Sequence, residues 1–405
     1  MGHQRPAGTH RAGLHVVPRV ARAAGGDGGA AVLSPPDLTS LLAHGARALS
    51  SAWGRPVLLG APELLKTESR SVVVRAQVRG GPVPAIILKH FRDDPVCGLD
   101  DQAGADFLTR QGVEFGPRLL AADVDARLFV LEDLGRGRTL EELLRGEDAR
   151  AATGGLIATA RLAGQLHART LGLQSEYELV RQALPPRPQR VRVENARFLL
   201  DNEERLLRWL SAVEAEAAPG LHEDLQDVAR TLANPGPFLA FTHGDLAPSN
   251  VLFTANGPRL LDFEYAGMRH ALYDALMWLV TVPLPDELIA RADITYRITL
   301  SSQCEAAQSD SAWVRARATV ALARTVNLFQ WLHPRVLEED REWAPGLSER
   351  AALLHHLARC RTLLAPADGF PGLARTLETL EARLRERWTV PPFVWPAFRE
   401  LDELE

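Results

Sequence analysis

A two-lobed α+β chain is predicted, a small antiparallel sheet followed by a mainly helical remainder, and three observations predict it. Short apolar runs separated by turn residues fill residues 56–131. After Gly135 the apolar residues fall at helical spacing. Within that helical part lies one hairpin signal, Asn256-Gly257, flanked by Val251-Leu252-Phe253 and Leu260-Leu261.

Residues 1–35 carry Arg5, Arg11, Arg19, Arg22 and a single acid, Asp27, and read as a disordered tail or a misassigned start. They hold no continuous apolar stretch of the kind an export signal needs. Ser34-Pro35-Pro36-Asp37 then opens a helix over 38–52, with Asp37 as its cap. Strands follow at 56–59, 71–78, 84–91, 118–122 and 128–131, interrupted by one helix over 100–111. Gly80-Gly81-Pro82 joins two of these strands as a hairpin. This gives a sheet lobe over 36–133 and a helical lobe over 134–405. Helices are expected at 139–144, 151–169 and 196–218, a loop at 184–191, and nearly continuous helix over 272–388, broken near Pro283, Pro334 and Pro366. The aromatic and proline-rich stretch 388–398 is expected along the surface of the helical lobe.

At 46% hydrophobic and 24% charged residues, the body of the chain is globular in composition. A net charge of −5 leaves no strong footprint for nucleic acid or a membrane surface. Cys97, Cys304 and Cys360 are too far apart for a metal pattern or a disulfide framework, which suits a reducing, cytoplasmic setting. No apolar run approaches the ~18 residues of a membrane span. Basic charge is almost wholly arginine, so the two lysines, Lys66 and Lys89, stand out.

The densest chemistry lies in Thr242-His243-Gly244-Asp245-Leu246-Ala247-Pro248-Ser249-Asn250, followed by Leu260-Leu261-Asp262-Phe263-Glu264. Asp245 and Asn250 sit on a loop before the hairpin, and Asp262 at its far end returns beside Asn250. Phosphoryl transfer asks a protein mainly for positioning and charge neutralisation. One carboxylate, Asp245, orients or deprotonates the attacking hydroxyl. One amide oxygen and one carboxylate, Asn250 and Asp262, suffice for Mg²⁺, which prefers oxygen and shares nucleotide phosphates. No Gly-x4-Gly-Lys, Gly-x-Ser-x-Gly or His-Glu-x-x-His competes with this reading. His355, His356 and Cys360 share a helix but read as core residues rather than metal ligands.

The string His243-Gly244-Asp245-x4-Asn250 with Asp262-Phe263-Glu264 closely resembles the aminoglycoside phosphotransferase and choline kinase superfamily of small-molecule kinases. The resemblance implies a protein-kinase-like two-lobed fold over about 37–390, with Asp245 catalytic and Asn250 and Asp262 as metal ligands. Asp274 would brace the catalytic loop beside His243, and His167 would be structural. Gly244 stands where protein kinases carry an arginine that reads a phosphorylated activation loop, and no Ala-Pro-Glu follows, so that kind of switching is not expected.

On the nucleotide side, the resemblance makes Lys89, at the end of a strand, the contact to the α- and β-phosphates. Its helix acid would be Asp100, Asp101 or Asp106, with Asp101 favoured by its distance from Phe107-Leu108, where the family usually has Glu. The phosphate-covering loop falls at Lys66-Thr67-Glu68-Ser69-Arg70-Ser71. It has no glycine, and Ser69 and Ser71 would let backbone amides approach phosphate. Phe129-Val130-Leu131-Glu132-Asp133-Leu134-Gly135 resembles the interlobe hinge, whose backbone from Glu132 to Leu134 would meet the adenine edge.

The expected activity is transfer of the γ-phosphate of ATP, or GTP, to a hydroxyl of a small molecule: aminoglycoside-like, an amino alcohol or a sugar. The acceptor would bind among residues 170–240 and 270–390. Trp278, Trp313, Trp331 and Trp343 are candidates for an aromatic cage around a cation, or core residues. Glu338-Glu339-Asp340 reads as a solvated face. The reading from another class is a catalytically silent nucleotide-binding module with a regulatory or scaffold role.

Overall fold

The computed structural model of the chain describes residues 37–399 apart from 68–69, 93–94, 188, 334 and 368. The expected tail and Ser69 lie outside the described residues. Helix α1, Leu38–Trp53, starts where Asp37 accepts the Ser40 N–H at 3.1 Å and stops at Gly54, whose φ of 63° suits a left-handed cap. It leads into β1, Leu58–Thr67, then β2, Ser71–Arg79, and β3, Ala85–Phe91. Helix α2, Pro95–Arg110, precedes β4, Leu119–Asp123, and β5, Leu128–Glu132. The five strands form one sheet in the order β1-β2-β3-β5-β4, every pairing antiparallel.

Strand alternation decides what each sheet face covers. Val72, Val74, Ile86, Leu88, Leu128 and Val130 bury against Leu49 of α1. Phe91, Phe129 and Leu131 form a second cluster with Ala105 of α2. The sheet is thus sandwiched by its two helices, and α2 is carried toward the following lobe.

Strand β1 runs further than the sequence suggested. Lys66 and Thr67, expected in the phosphate-covering loop, pair with Val73 and Val72 and extend the strand. Two register shifts, between Gly60 and Glu63 and between Leu64 and Lys66, disrupt its alternation. Ser71 is the first residue of β2 and buried.

The remainder is helical. Strand β6, Arg138–Thr139, enters α3, Leu140–Leu144, through a capping box between Thr139 and Glu142. Helices α4, Ala149–Thr170, and α5, Gln174–Gln182, follow. The single helix expected over 196–218 is two, α6, Val191–Asp201, and α7, Glu203–Ala212. Asn202 breaks them, its buried amide donating to Phe198 O at 2.9 Å and to Asn327 Oδ1 at 3.1 Å. Helix α8 spans Leu221–Ala233.

Four short strands then frame the loop of interest: β7, Leu239–Thr242; β8, Val251–Thr254; β9, Gly257–Leu260; and β10, Gly267–His270. Strand β10 pairs with β7, and β8 pairs with both β9 and β6. Helix α9, Leu272–Leu276, runs into a π-helical turn, Met277–Thr281, and α10, Asp286–Ser301. Helix α11, Asp310–Leu328, is the centre of the lobe, since every residue over 318–328 is buried. An unexpected hairpin of β11, Glu342–Ala344, and β12, Leu347–Ser348, precedes α12, Glu349–Leu364, and α13, Pro371–Arg387. The stretch 388–398 starts along the surface as expected, with Thr389, Pro391 and Pro392 exposed, but its end is more than a surface strap. Trp395 and Phe398 are buried in the core, where the final turn packs on α3 and α4.

Candidate active site

The loop between β7 and β8 is shaped from behind by Asp274. Its Oδ2 accepts the backbone N–H of His243 at 2.7 Å and its Oδ1 that of Gly244 at 2.8 Å. His167 Nε2 lies 3.0 Å from the same carboxylate, and His167 Nδ1 lies 2.8 Å from the Tyr296 hydroxyl. These donors hold the buried Asp274 carboxyl below its ordinary range although burial opposes this. His243 turns inward: Nε2 donates to Leu261 O at 2.8 Å and Nδ1 accepts the Asp245 N–H at 3.3 Å. That pattern requires the neutral ring, in line with the lowering that burial imposes on it. Gly244 has φ of 81°, and a Cβ there would stand 2.1 Å from Tyr265 O, so only glycine fits.

The chain past Gly244 leaves Asp245 half-buried, with Oδ1 enclosed and without a hydrogen-bond partner. Burial, and then the Asp262 and Glu264 carboxylates, push its carboxyl up to about 8, against the pull of Arg324 and Arg70. Asn250 donates Nδ2 to Asp245 O at 2.9 Å, which leaves its Oδ1 as a ligand oxygen. The Asn250 carbonyl accepts the Leu261 N–H at 2.9 Å, so the hairpin returns Asp262 beside Asn250. Asp262 takes φ of 69°, a left-handed conformation that aspartate tolerates better than most residues.

Lys89 joins the two lobes. Its ammonium contacts Asp101 and lies 2.5 Å from Asp262 Oδ1. Burial works against this charge, but Asp101, Asp262 and Glu264 overcome it and raise the lysine above its ordinary value. Asp262 is correspondingly held well below the carboxylate range, despite its burial, by Lys89 and Lys66, the latter 3.8 Å from Oδ2. Asp101 Oδ1 also accepts the Phe263 N–H at 2.9 Å, tying α2 to the Asp262-Phe263-Glu264 segment. The neighbouring acids go elsewhere: Asp100 to Arg181 at 2.8 Å and to Arg187, and Asp106 to Arg110 at 2.8 Å.

The remaining expected residues are more dispersed. Glu132 donates its N–H to Arg118 O and pairs its side chain with Arg118 at 3.1 Å, so its backbone donor is already engaged. Leu134 lies two residues past the end of β5, behind Asp133, which Arg75 grips through two nitrogens at 2.9 and 3.1 Å. Trp278 and Trp313 are core residues around Tyr296 and form no cage. Trp331 is only part-buried and stacks on Phe198, with the rings 5.7 Å apart. Cys360 is buried in apolar surroundings that push its thiol up to about 12.

Two groups had no role of their own in the reading of the sequence, where Arg70 stood only as a member of the phosphate-covering loop. Arg70 pairs with Glu264 at 3.1 Å and reaches the Tyr265 hydroxyl at 2.8 Å. Arg324 is buried over the Trp331 ring at 5.0 Å, and burial lowers its pKa to about 10. A lone arginine inside the apolar run Ala321-Leu322-Ala323-Arg324-Thr325-Val326 was the available signal.

For a divalent ion the donor set is one amide oxygen and one ionised carboxylate, both hard. Among the described residues no group of three or more His, Cys, Asp or Glu is arranged to hold a metal. The pair therefore fits an ion that completes its shell with water and nucleotide oxygens, as Mg²⁺ does.

A sequence model of the phosphotransferase enzyme family matches residues 75–305, more than half of the chain and every residue of this constellation except Lys66, Arg70, Ser71 and Arg324. The chain belongs to that family. It is accordingly a small-molecule phosphotransferase with an antiparallel-sheet first lobe and a helical second lobe. Among solved structures, this phosphotransferase is similar to a choline/ethanolamine kinase family protein from Mesorhizobium loti, at 18% identity over 80% of this chain and 93% of that one, with a TM-score of 0.44. It is also similar to a macrolide 2'-phosphotransferase from Brachybacterium faecium, at 17% identity over 83% and 100% of the two chains, TM-score 0.44. A choline kinase from Cryptosporidium parvum aligns at 13% identity over 81% and 88%, TM-score 0.41. Comparison with curated protein sequences gave no match. No described helix is long and apolar enough to cross a membrane.

Proposed function

We propose that this phosphotransferase moves the γ-phosphate of ATP, or GTP, to a hydroxyl of a small molecule, an aminoglycoside-like compound, an amino alcohol or a sugar. The observation that carries this is the enclosed, unpartnered Asp245 Oδ1 on the same rigid loop as Asn250, with Asp262 returned beside it. In this reading Asp245 aligns the acceptor hydroxyl and takes its proton. The acceptor oxygen bonds to the γ-phosphorus as the bond to the β-phosphate bridging oxygen breaks. Asn250 Oδ1 and the Asp262 carboxylate hold Mg²⁺, which neutralises phosphate charge. Lys89, kept in place by Asp101, faces the α- and β-phosphates. Ser71 borders the phosphates from the sheet lobe, and the backbone near Glu132 and Leu134 meets the base. Asp274, through the His243 and Gly244 amides, holds the loop in shape. The sheet lobe, 36–133, is the nucleotide side, and the helical lobe, 134–405, holds the acceptor.

The test is ATP- and Mg²⁺-dependent phosphate transfer to pooled aminoglycosides, macrolides, choline, ethanolamine, homoserine and simple sugars. Transfer to one pool, lowered roughly 10²–10⁴-fold in Asp245→Asn while Mg·ATP still binds, supports the reading. An Asp245→Asn enzyme that works at the normal rate sinks the role of Asp245. Tight Mg·ATP binding with no transfer to any pool would instead favour a silent nucleotide-binding module.

A further inference from the structure

A cavity of about 340 Å³ lies apart from the Asp245 loop, between α5, the segment after it and the start of α6, with Ala266 and Met268 as its floor. Its wall holds four arginines, Arg181, Arg187, Arg190 and Arg192, against one acid, Glu178. Among the described residues the arginines have three carboxylate partners. Arg181 and Arg187 share Asp100, Arg187 also meets Glu194, and Arg190 takes Glu178 at 3.0 Å. Arg192 donates Nε to a carbonyl, Ala233 O, at 3.0 Å.

Positive charge is therefore in surplus, and some of its donors are idle. Arg181 is 8% exposed, and its Nη2 is buried without a hydrogen bond. Arg187 Nε is buried without one as well. A buried donor with no acceptor is costly, and guanidinium forks match the oxygens of phosphate and carboxylate. The wall is also linked to the nucleotide side, because Asp100 is the chain neighbour of Asp101, which contacts Lys89.

We propose that this cavity binds a small anion bearing a phosphate-like or carboxylate oxyanion, and that the bound anion steadies α2 and so tightens Mg·ATP binding. The anion would meet Arg190 and the accessible side of Arg187 from the cavity, and a turn of the Arg181 and Arg187 side chains would bring their enclosed nitrogens, Nη2 and Nε, to it. It would hold the first two against Asp100 while Asp101 stays on Lys89. Two sources share this chemistry, a free oxyanion effector and an acidic group on the acceptor. Sulfate added without acceptor tests the first, and homoserine, the carboxylate-bearing alcohol of the acceptor panel, added without sulfate tests the second.

The experiment titrates Mg·ATP into the full chain by calorimetry, with and without saturating sulfate, in wild type, Arg190→Gln and Arg187→Gln/Arg190→Gln. Sulfate should tighten Mg·ATP roughly 5-fold or more in wild type, the usual scale of coupling between sites, and lose that effect in the double variant. Competition at the triphosphate site alone would weaken ATP equally in all three proteins and would overturn the proposal. So would an unchanged ATP affinity. Arg190 is largely exposed, so its single variant keeps the comparison meaningful if the double variant melts early. Selenate-soaked crystals give an independent reading: anomalous density between Arg181 and Arg187 is expected, and density only beside Lys89 overturns the site. A chain that binds selenate there but no nucleotide would fail the kinase reading and with it the coupling to ATP, while the anion site itself would stand.

Discussion

The carboxylate of Asp274 holds the backbone N–H of His243 at 2.7 Å across 31 residues of sequence. Its second oxygen holds Gly244, and His167 closes the group from below. Asp274→Ala would strand two amides and an imidazole in a buried site. Hydrogen bonds to a charged group are worth about 1.5–3 kcal/mol each, so a loss of about 3–5 kcal/mol is expected. Urea unfolding would show it as a lower midpoint, and kcat should fall more than tenfold, roughly the scale of a misplaced loop. An unchanged midpoint would remove Asp274 from this role.

Lys89 and the three acids of α2 make a graded series. Lys89→Met leaves Asp101 and Asp262 without their shared cation, and Mg·ATP affinity should fall roughly tenfold or more, about 1.4 kcal/mol or above. Asp101→Asn keeps an acceptor for Phe263 N–H but loses the ion pair, so a smaller loss is expected. Asp106→Asn removes an ion pair to Arg110 on the same helix and should bind nucleotide normally. Equal losses in Asp101→Asn and Asp106→Asn, measured by calorimetry, would refute the pairing.

Two glycines predict opposite outcomes for one substitution. Gly244→Ala puts a methyl group 2.1 Å from Tyr265 O and 2.4 Å from Arg269 Nη1, at φ of 81°. A non-glycine residue held there costs about 1–3 kcal/mol before the clash is counted. Gly154, on α4, has nothing within 4 Å of an added Cβ. Gly154→Ala should stabilise by about 0.5–1 kcal/mol through helix propensity. Thermal melts of the two variants should move in opposite directions, and a stabilised Gly244→Ala would contradict the loop geometry.

Acid should weaken the fold through His270. Burial, with a smaller push from His167, lowers this ring to about 3 from an ordinary 6.5. The folded state keeps it neutral while the unfolded chain takes up a proton below 6.5, so the unfolded state binds more protons there. Its contribution is whole above 6.5 and is lost as pH falls toward about 3. The slope is about 1.4 kcal/mol per pH unit. His270→Asn should flatten the fall in unfolding free energy between pH 6 and pH 5 by about that amount. A variant with the wild-type slope would show that the ring is not held neutral.

The elements most readable from sequence were those whose partners are near in the chain. The hairpin of β8 and β9 announces itself through β-prone runs on either side of Asn256-Gly257. Its loop proves to be Ala255 and Asn256, because Thr254 pairs with Gly257. The string from His243 to Asp262 was readable as the mark of the family, because its residue types and spacing are local in sequence. What stayed hidden depended on distant or irregular contacts. Bulges rob β1 of the alternation that would have extended it to Thr67. The break at Asn202 answers to Asn327, in another helix. Asp100 and Asp101 are adjacent acids of one type, and only Arg181, Arg187 and Lys89 tell them apart.

The buried aromatic residues at 395 and 398 bear on the order in which the nascent chain matures. The sheet lobe can settle early, since each of its strands meets neighbours made shortly before. The helical lobe cannot seal around α3 and α4 until residue 398 is free of the ribosome. Through that interval apolar helix faces stand open to solvent and to one another, the condition under which chaperones become useful. Synthesis that stalls a dozen residues short of this point would yield a polypeptide with Asp245, Asn250 and Asp262 already in place in its sequence and a lobe still unable to close.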